Sequence, residues 1–484
     1  MTINTHRYLA RIILEAANPL AVGSGERDVH TDQLVITDVN GLPYIPGTAL
    51  AGVLRNSLEL DLGKNIIEKL MGFQGEKKQN GPDDGQGSRL ILSHAQMIGH
   101  DGNSIDGIVN IDWDNDFYKQ FKKLPVRQHV RISHKGAAED KGKFDEQVVY
   151  KGTRFCFEME LVSDGTDTDI WEKILDTFNS PLFRMGGGTR KGFGELTVID
   201  CKSVILDLKK VTDVNKYLDK TSSLNDTFWS SESDSKRMIE SDQLIIYNLD
   251  LQPVDFFLFS SGLESTDAKM IPVTEKVIDW NEDGKPSFTN EQILIPASSV
   301  KGALAHRIAF HYNKIKNIYA DNLTVEILKD NEYSFDIESK AKDEYGKLVD
   351  VATKGNPAVR TLFGFSAKGD DGQRGNVILS DIFKGDLNSA NMKLLNHVAI
   401  DRFTGGAMDG ALFNEEVVYK DGDDYIMTIR VLKKGLVKDA EKAFDLALYD
   451  IKTGMLPLGG GTLRGHGSFT GTITKNGKEL ENEQ

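Results

Sequence analysis

The chain has 484 residues, 39% hydrophobic and 27% charged, and its 58 Lys and Arg against 73 Asp and Glu give a formal net charge of -15. Such a composition is globular and longer than one core usually serves, and its acidity excludes nucleic-acid binding driven by overall charge, so any RNA contact must use local basic patches. The two cysteines, Cys156 and Cys201, form no CxxC pair, which excludes a disulfide framework and a cysteine zinc site and fits a reducing cytoplasm; with no signal-peptide core and no apolar run of the roughly 18 residues that a spanning helix needs, a cytoplasmic protein outside the membrane is expected.

In chain order, short runs rich in β-branched and aromatic residues predict strands over Tyr8–Leu14 and Gln33–Ile36. Thr48 is placed to cap a helix whose Leu50, Val53, Leu54 and Leu58 form one apolar stripe at i, i+3, i+4 and i+8. The segment GFQGEKKQNGPDDGQGSR, residues 72–89, reads as an exposed, mobile loop. Further strands are expected over Phe155–Leu161 and Glu195–Ile199, with GGGTRKGFG, residues 186–194, just before the second. The polar, Ser- and Asp-rich stretch 209–242 reads as a linker with one short helix.

Beyond it the sequence repeats itself in the same order. IPGTALAGVL at 45–54 returns as IPASSVKGAL at 295–304, with Val300, Ala303, Leu304 and Ile308 reproducing the helix stripe, and LMGF at 70–73 returns as LFGF at 362–365. His129–Ile132 followed by FDEQVVYK at 144–151 returns as His397–Ile400 followed by FNEEVVYK at 413–420, and GGGTRKGFG returns as GGGTLRGHG at 459–467. Four ordered matches mean two copies of one α+β domain: the first over 1–205, a linker over 206–242, the second over 243–475 and a tail over 476–484.

A glycine-rich turn can set several backbone N–H groups beside a phosphate, and Arg190, Lys191 and Arg464 add charge to these two. Neither fits GxGxxG or the P-loop, and a strand rather than a helix follows the first, which disfavours a nucleotide cofactor. A tight strand connection that only glycine can make is the alternative to RNA-backbone contact.

Together these features resemble the RAMP superfamily, specifically the backbone subunits of type III CRISPR effector complexes (Csm/Cmr type). The resemblance is carried by IPGTALAGVLR and IPASSVKGALAHR, by LFGF, by Ile400-Asp401-Arg402-Phe403-Thr404-Gly405-Gly406-Ala407 and by the glycine loops. A tandem fusion looks like type III-D effectors. The resemblance implies two modified ferredoxin-like domains, similar to RNA-recognition motifs, that assemble around a guide RNA, each with a thumb hairpin wedged into the guide–target duplex. The thumbs should span Arg131–Val149 and Asp401–Val418. Expected partners are crRNA, complementary single-stranded target RNA and other CRISPR effector subunits, with no membrane. The expected RNA contacts are Gly186, Gly187, Gly188, Arg190, Lys191, Gly459, Gly460, Gly461 and Arg464 in the glycine loops, Arg131, His134, Lys135 and Arg402 in the thumbs, and Arg55 and Lys301 on the entry helices.

In catalytic members an aspartate shortly before the helix entry cuts target RNA with a divalent metal, and Asp32 falls on that position, with Asp28 its nearest substitute. A 2′-hydroxyl attacking its own phosphate needs in-line geometry, help in losing its proton and stabilisation of the leaving oxygen, which a carboxylate with Mg²⁺ or another divalent ion can provide. Asp32 alone cannot hold the ion, so RNA phosphate oxygens and waters must complete its shell. The bland reading of Asp32 is a loop carboxylate bonded to a nearby amide. In copy two, alignment on Val277-Ile278 sets Thr274 or Glu275 at the key position, leaving Asp267 as the remaining candidate in a copy expected to be inactive. His129 and His397 are equivalent and more suited to structural hydrogen bonds than to acid–base catalysis. A scaffold that only binds guide RNA and a histidine-dependent ribonuclease that processes guide precursors are the competing functions.

Overall fold

The structure, a computed structural model, describes residues 4–29, 31–75, 85–231, 243–366, 372–385, 392–419 and 424–481. Copy one runs through β1 (His6–Ala16), α1 (Gly47–Leu62), β2 (Leu90–Leu92), β3 (Val126–Ile132), β4 (Ala138–Gln147), β5 (Arg154–Ser163), α2 (Thr168–Phe178) and β6 (Leu196–Asp207). Its antiparallel sheet has the order β2-β5-β1-β6. β1 alternates as a half-covered strand must, so Tyr8, Ala10, Ile12, Leu14 and Ala16 are buried. Those side chains pack with Leu50, Leu54 and Leu58 of α1 and Trp171, Ile174 and Phe178 of α2, which layers two helices on one sheet face.

Copy two repeats the arrangement with β7 (Leu244–Pro253), α3 (Ala297–Ile315), β8 (Val377–Leu379), β9 (Met392–His397), β10 (Phe413–Val418), β11 (Tyr425–Leu432), α4 (Ala440–Lys452) and β12 (Phe469–Lys475). The sheet order is β8-β11-β7-β12, and Lys478–Glu479, in the expected tail, folds back on β12 as a short added strand. Val300, Leu304 and Ile308 are buried, as the stripe predicts. In each copy an antiparallel hairpin, β3–β4 or β9–β10, leaves the sheet; the hairpins begin at Val126 and Met392, before the expected Arg131 and Asp401, because the ladders extend back through His129 and His397.

Several expectations change. Gln33–Ile36 is not a sheet strand: Val35 N–H is held by Gln147 Oε1 at 3.0 Å and Ile36 N–H by the Val22 carbonyl, so the segment is a loop bound to the base of the hairpin. Thr48 does not cap α1. Pro46 occupies that place, and His94 Nδ1 accepts from the Gly47 N–H at 3.0 Å. Glycine is required at 47 because a Cβ there would lie 2.8 Å from the Leu92 carbonyl oxygen. Of the loop at 72–89, residues 76–84 fall outside the described residues, and Phe73 pairs with Gln86 beside them. The connecting segment contains the short helix Val211–Asp219 and then packs back on copy one, where Trp229 is buried with Leu9 and Leu206.

The copies meet along an extensive seam. Buried Arg127 of β3 lies 2.8 Å from Glu275 and 2.9 Å from Asp381. Burial disfavours its charge, but the two carboxylates more than offset this and raise its pKa. Glu195 accepts from Ser380 Oγ at 2.8 Å and Arg430 at 3.0 Å across the seam, and from Arg184 within its own copy at 2.9 Å. In the other direction, Ile278 of copy two joins the core of copy one, with Trp280 and Phe288 packed beside it.

Candidate functional site

The loop before α1 sets Asp32 on the surface. Gly23 pairs with Val35, Asp28 Oδ1 accepts from the Thr31 N–H at 2.6 Å, and Gln33 bridges to Glu146 at the hairpin base. These constraints leave the exposed Asp32 side chain with Oδ2 accepting from the Asp145 N–H at 3.1 Å. Asp32 borders a cleft of about 400 Å³ together with Gly23, Gly25, Glu26, Arg27 and Leu34. Asp28 is spent in closing its own turn.

Copy two has the same loop in the same register. Ser260 pairs with Pro272 as Gly23 does with Val35, Ser265 closes the turn at Ala268 as Asp28 does at Thr31, and Met270 bridges Glu415 as Gln33 bridges Glu146. The residue opposite Asp32 is therefore Lys269, not Thr274 or Glu275. Glu275 instead faces Arg127 in the seam. Asp267 is two residues before Lys269, and its carbonyl accepts from Asn414 Nδ2 at 2.6 Å. Nothing in the repeat motifs reveals Lys269, because the loops that follow differ in length; only the hairpin register does.

Beside Asp32, the hairpin base meets the glycine loop. His129 stacks on Phe144 with ring centroids 4.7 Å apart, its Nε2 is 2.7 Å from Glu146, and Lys191 Nζ lies 4.6 Å over the Phe144 ring. Burial works to raise the Glu146 pKa, but His129, Lys191 and Arg127 together lower it. The same cluster recurs as His397 on Phe413 at 4.8 Å, Glu415 2.7 Å from His397 and 2.6 Å from Arg464. Repetition around a buried carboxylate in both copies supports the structural role for the two histidines.

The first glycine loop reaches the seam, where cations gather. Arg190 donates Nε to the Gly375 carbonyl at 2.8 Å, and Arg374 donates to Thr189 Oγ1 at 2.6 Å. Lys301 Nζ donates to the Phe363 carbonyl at 3.3 Å, and Arg190 Nη1 is buried without a hydrogen-bond partner among the described residues. No carboxylate pairs with Arg190, Lys301 or Arg374 among those residues. Burial, then Lys191 and Arg190, push Lys301 down to about 8, and burial, then Arg374 and Arg184, push Arg190 down to about 9. Half-buried Arg190 and Lys301 and exposed Arg374 thus gather positive charge that no carboxylate offsets among the described residues. Arg374 was not legible in the sequence, because it has no counterpart in copy one beyond Gly87.

The remaining expected contacts divide. Gly186, Gly187, Gly459 and Gly460 are exposed, Gly188 packs on Phe193 and Gly461 on His466. Lys135, Arg131 and Arg402 are exposed on the hairpins. Arg55 is turned inward, donating to the Met71 carbonyl at 2.8 Å, and His134 lies 3.5 Å from Asp350 of copy two; both are engaged within the protein. Among the described residues no three His, Cys, Asp or Glu side chains gather to hold a metal ion, and no helix is long and apolar enough to cross a membrane. Asp32 Oδ1 is one available ligand, so a divalent ion fits here only if RNA phosphate supplies the others.

No curated protein matches the chain in sequence. The RAMP superfamily profile matches residues 13–197 and 287–470, one match in each copy and more than half of the chain in total. With the same hairpin, glycine loop and helix entry in both matched regions, the chain belongs to the RAMP superfamily, generally CRISPR-associated RNA-binding proteins, as a tandem of two RAMP domains.

Proposed function

We propose that the chain is a crRNA-binding backbone subunit of a type III CRISPR effector, and that copy one cuts complementary target RNA with Asp32. The observation that carries this reading is the meeting of the exposed Asp32 carboxylate, the hairpin base and the cation-bearing glycine loop on one side of copy one, with Lys269 at the matching place in copy two. The sheet orders β2-β5-β1-β6 and β8-β11-β7-β12 support modified ferredoxin-like domains, and the projecting hairpins support thumbs.

Lys191, Arg190, Lys301 and Arg374 hold the RNA backbone, because a phosphate supplies the negative charge they lack. Asp32, held by the Asp145 N–H, orients and accepts the proton of the target's 2′-hydroxyl. The 2′-oxygen then bonds to phosphorus as the P–O5′ bond breaks, leaving a 2′,3′-cyclic phosphate, and the departing 5′-oxygen takes its proton from water while Asp32 returns its own to solvent. Asp32 would be the protein's ligand for a divalent ion, which would supply positive charge to offset that developing on the phosphate.

The test is cleavage of labelled complementary RNA by the guide-loaded complex with Mg²⁺, comparing wild type with Asp32→Ala and Asp267→Ala. Loss of one product with Asp32→Ala alone, with assembly retained, supports the reading. Survival of every product in both variants makes the chain a guide-binding scaffold.

A further inference from the structure

We infer that Gln147 is a positioning residue for Asp32: its side chain ties down the loop that carries the carboxylate, and copy two lacks both ends of that tie. The inference rests on the cutting role proposed for Asp32.

The loop is fastened on two sides. On one side, Ser24 N–H donates to the Leu34 carbonyl at 2.9 Å and Ile36 N–H to the Val22 carbonyl at 2.8 Å, so Gly23 and Val35 stand opposite each other. In such an antiparallel pair the two bonds flank the middle residues, whose own N–H and C=O groups point away from the partner strand. Val35 N–H therefore faces the hairpin, and because Val35 is only 6% exposed that donor needs an acceptor within the protein. Gln147 supplies it: Oε1 accepts from Val35 at 3.0 Å, while the Gln147 N–H donates to the Gln33 carbonyl at 2.9 Å. Asp32 immediately precedes Gln33, and its Oδ2 accepts from the N–H of Asp145, two residues before Gln147 on β4. Gln147 thus fixes the register in which the carboxylate meets the hairpin.

Copy two keeps the main-chain part of this arrangement. Ser261 N–H donates to the Ile271 carbonyl at 3.0 Å, Val273 N–H to the Phe259 carbonyl at 2.7 Å and Glu416 N–H to the Met270 carbonyl at 2.9 Å. The side-chain tie has neither end: Pro272, opposite Ser260, stands in the place of Val35 and has no N–H to give, and Glu416 stands in the place of Gln147. Three positions therefore differ together, Asp32 against Lys269, Val35 against Pro272 and Gln147 against Glu416. The shared fold needs the main-chain bonds in both copies, and only the copy with the carboxylate has the tie. In-line attack by a 2′-hydroxyl is sensitive to the place of the group that takes its proton, and a shift of about 1 Å can cost on the order of 100-fold in rate.

Single-turnover cleavage at saturating target by the guide-loaded complex with Mg²⁺, run beside urea denaturation of the RNA-free full chain, separates positioning from simple satisfaction of a buried amide. Gln147→Leu leaves the Val35 N–H without an acceptor, so it should lower the urea midpoint and slow cleavage about tenfold, with target affinity unchanged within about twofold. Adding Val35→Pro, the residue of copy two, removes the orphaned donor and should restore the urea midpoint while cleavage stays slow. Gln147→Glu keeps an oxygen for the Val35 N–H, and a glutamate already stands at this place in copy two, so it should retain cleavage within about threefold of wild type. A Gln147→Leu complex that cuts like wild type, a double variant that regains both stability and cleavage, or a Gln147→Glu complex as slow as Gln147→Leu would overturn the inference. Asp32→Ala is run alongside: if it cuts like wild type, the cutting role of Asp32 falls and this inference with it, whereas an inactive Asp32→Ala beside a fully active Gln147→Leu overturns this inference alone.

Discussion

Gly192 and Gly465 hold the same place in the two glycine loops, and only Gly192 is pressed against a neighbouring domain. Around Gly192 the chain uses charge: Arg127 between Glu275 and Asp381, Arg190 on Gly375, Glu195 on Ser380 and Arg430. Around Gly465 the matching positions carry Leu395, Leu463 and Ser468. The two copies share one frame, and their side chains differ where one glycine loop meets a neighbouring domain of the chain and the other does not. The same divergence reaches the candidate cutting position, with Asp32 in copy one and Lys269 in copy two.

That contrast can be broken most sharply at the cutting position. Asp32→Lys writes the residue of copy two into copy one and should lower target cleavage about 100-fold or more while leaving guide binding in place, as measured by single-turnover cleavage of the guide-loaded complex. Lys269→Asp is the reciprocal change, and a new product from a second cutting position would show that the two loops differ in this residue alone.

At the seam, Arg127→Met leaves Glu275 and Asp381 buried without a cation and should cost about 3–5 kcal/mol in urea denaturation, whereas Leu395→Met at the matching place should change little. Adding Glu275→Gln and Asp381→Asn to Arg127→Met should restore most of the loss, since the penalty comes from the unpaired charges.

The cation cluster at Lys301 predicts a smaller, pH-dependent effect. Lys301 has its pKa pushed from 10.5 down to about 8, so between those values the unfolded chain binds more protons and stability of the RNA-free protein rises with pH. A bound phosphate favours the charged lysine, so RNA binding takes up a proton and affinity should fall as pH rises through about 8, as read by titration of labelled RNA at fixed salt. Lys301→Gln should flatten that profile, weaken binding about tenfold and reduce the salt slope by about one, and Ala51→Gln should do neither.

Gly192 and Gly465 both have positive φ, +107° and +88°, so alanine at either should cost roughly 1–2 kcal/mol in thermal melts. Gly192→Ala should cost more than Gly465→Ala, because its Cβ also displaces Asp381 from the seam.

The duplication, the α1 and α3 stripes and the three long sheet strands of copy one were legible in the sequence, since periodicity and repeated motifs report local structure and shared ancestry. The cap of α1 was not, because His94, which takes the Gly47 N–H, is far along the chain. Nor was the equivalence of Asp32 and Lys269. It depends on Gln33 and Met270 pairing with hairpin residues more than a hundred positions away, while the intervening loops differ in length. Sequence alone therefore determined that one domain is present twice, with matching helix entries and glycine loops. Tertiary structure decided which cations are committed to the seam, which stay exposed, and that Asp32 and Lys269 share one loop position, because charge, burial and register are set by residues that only folding brings together.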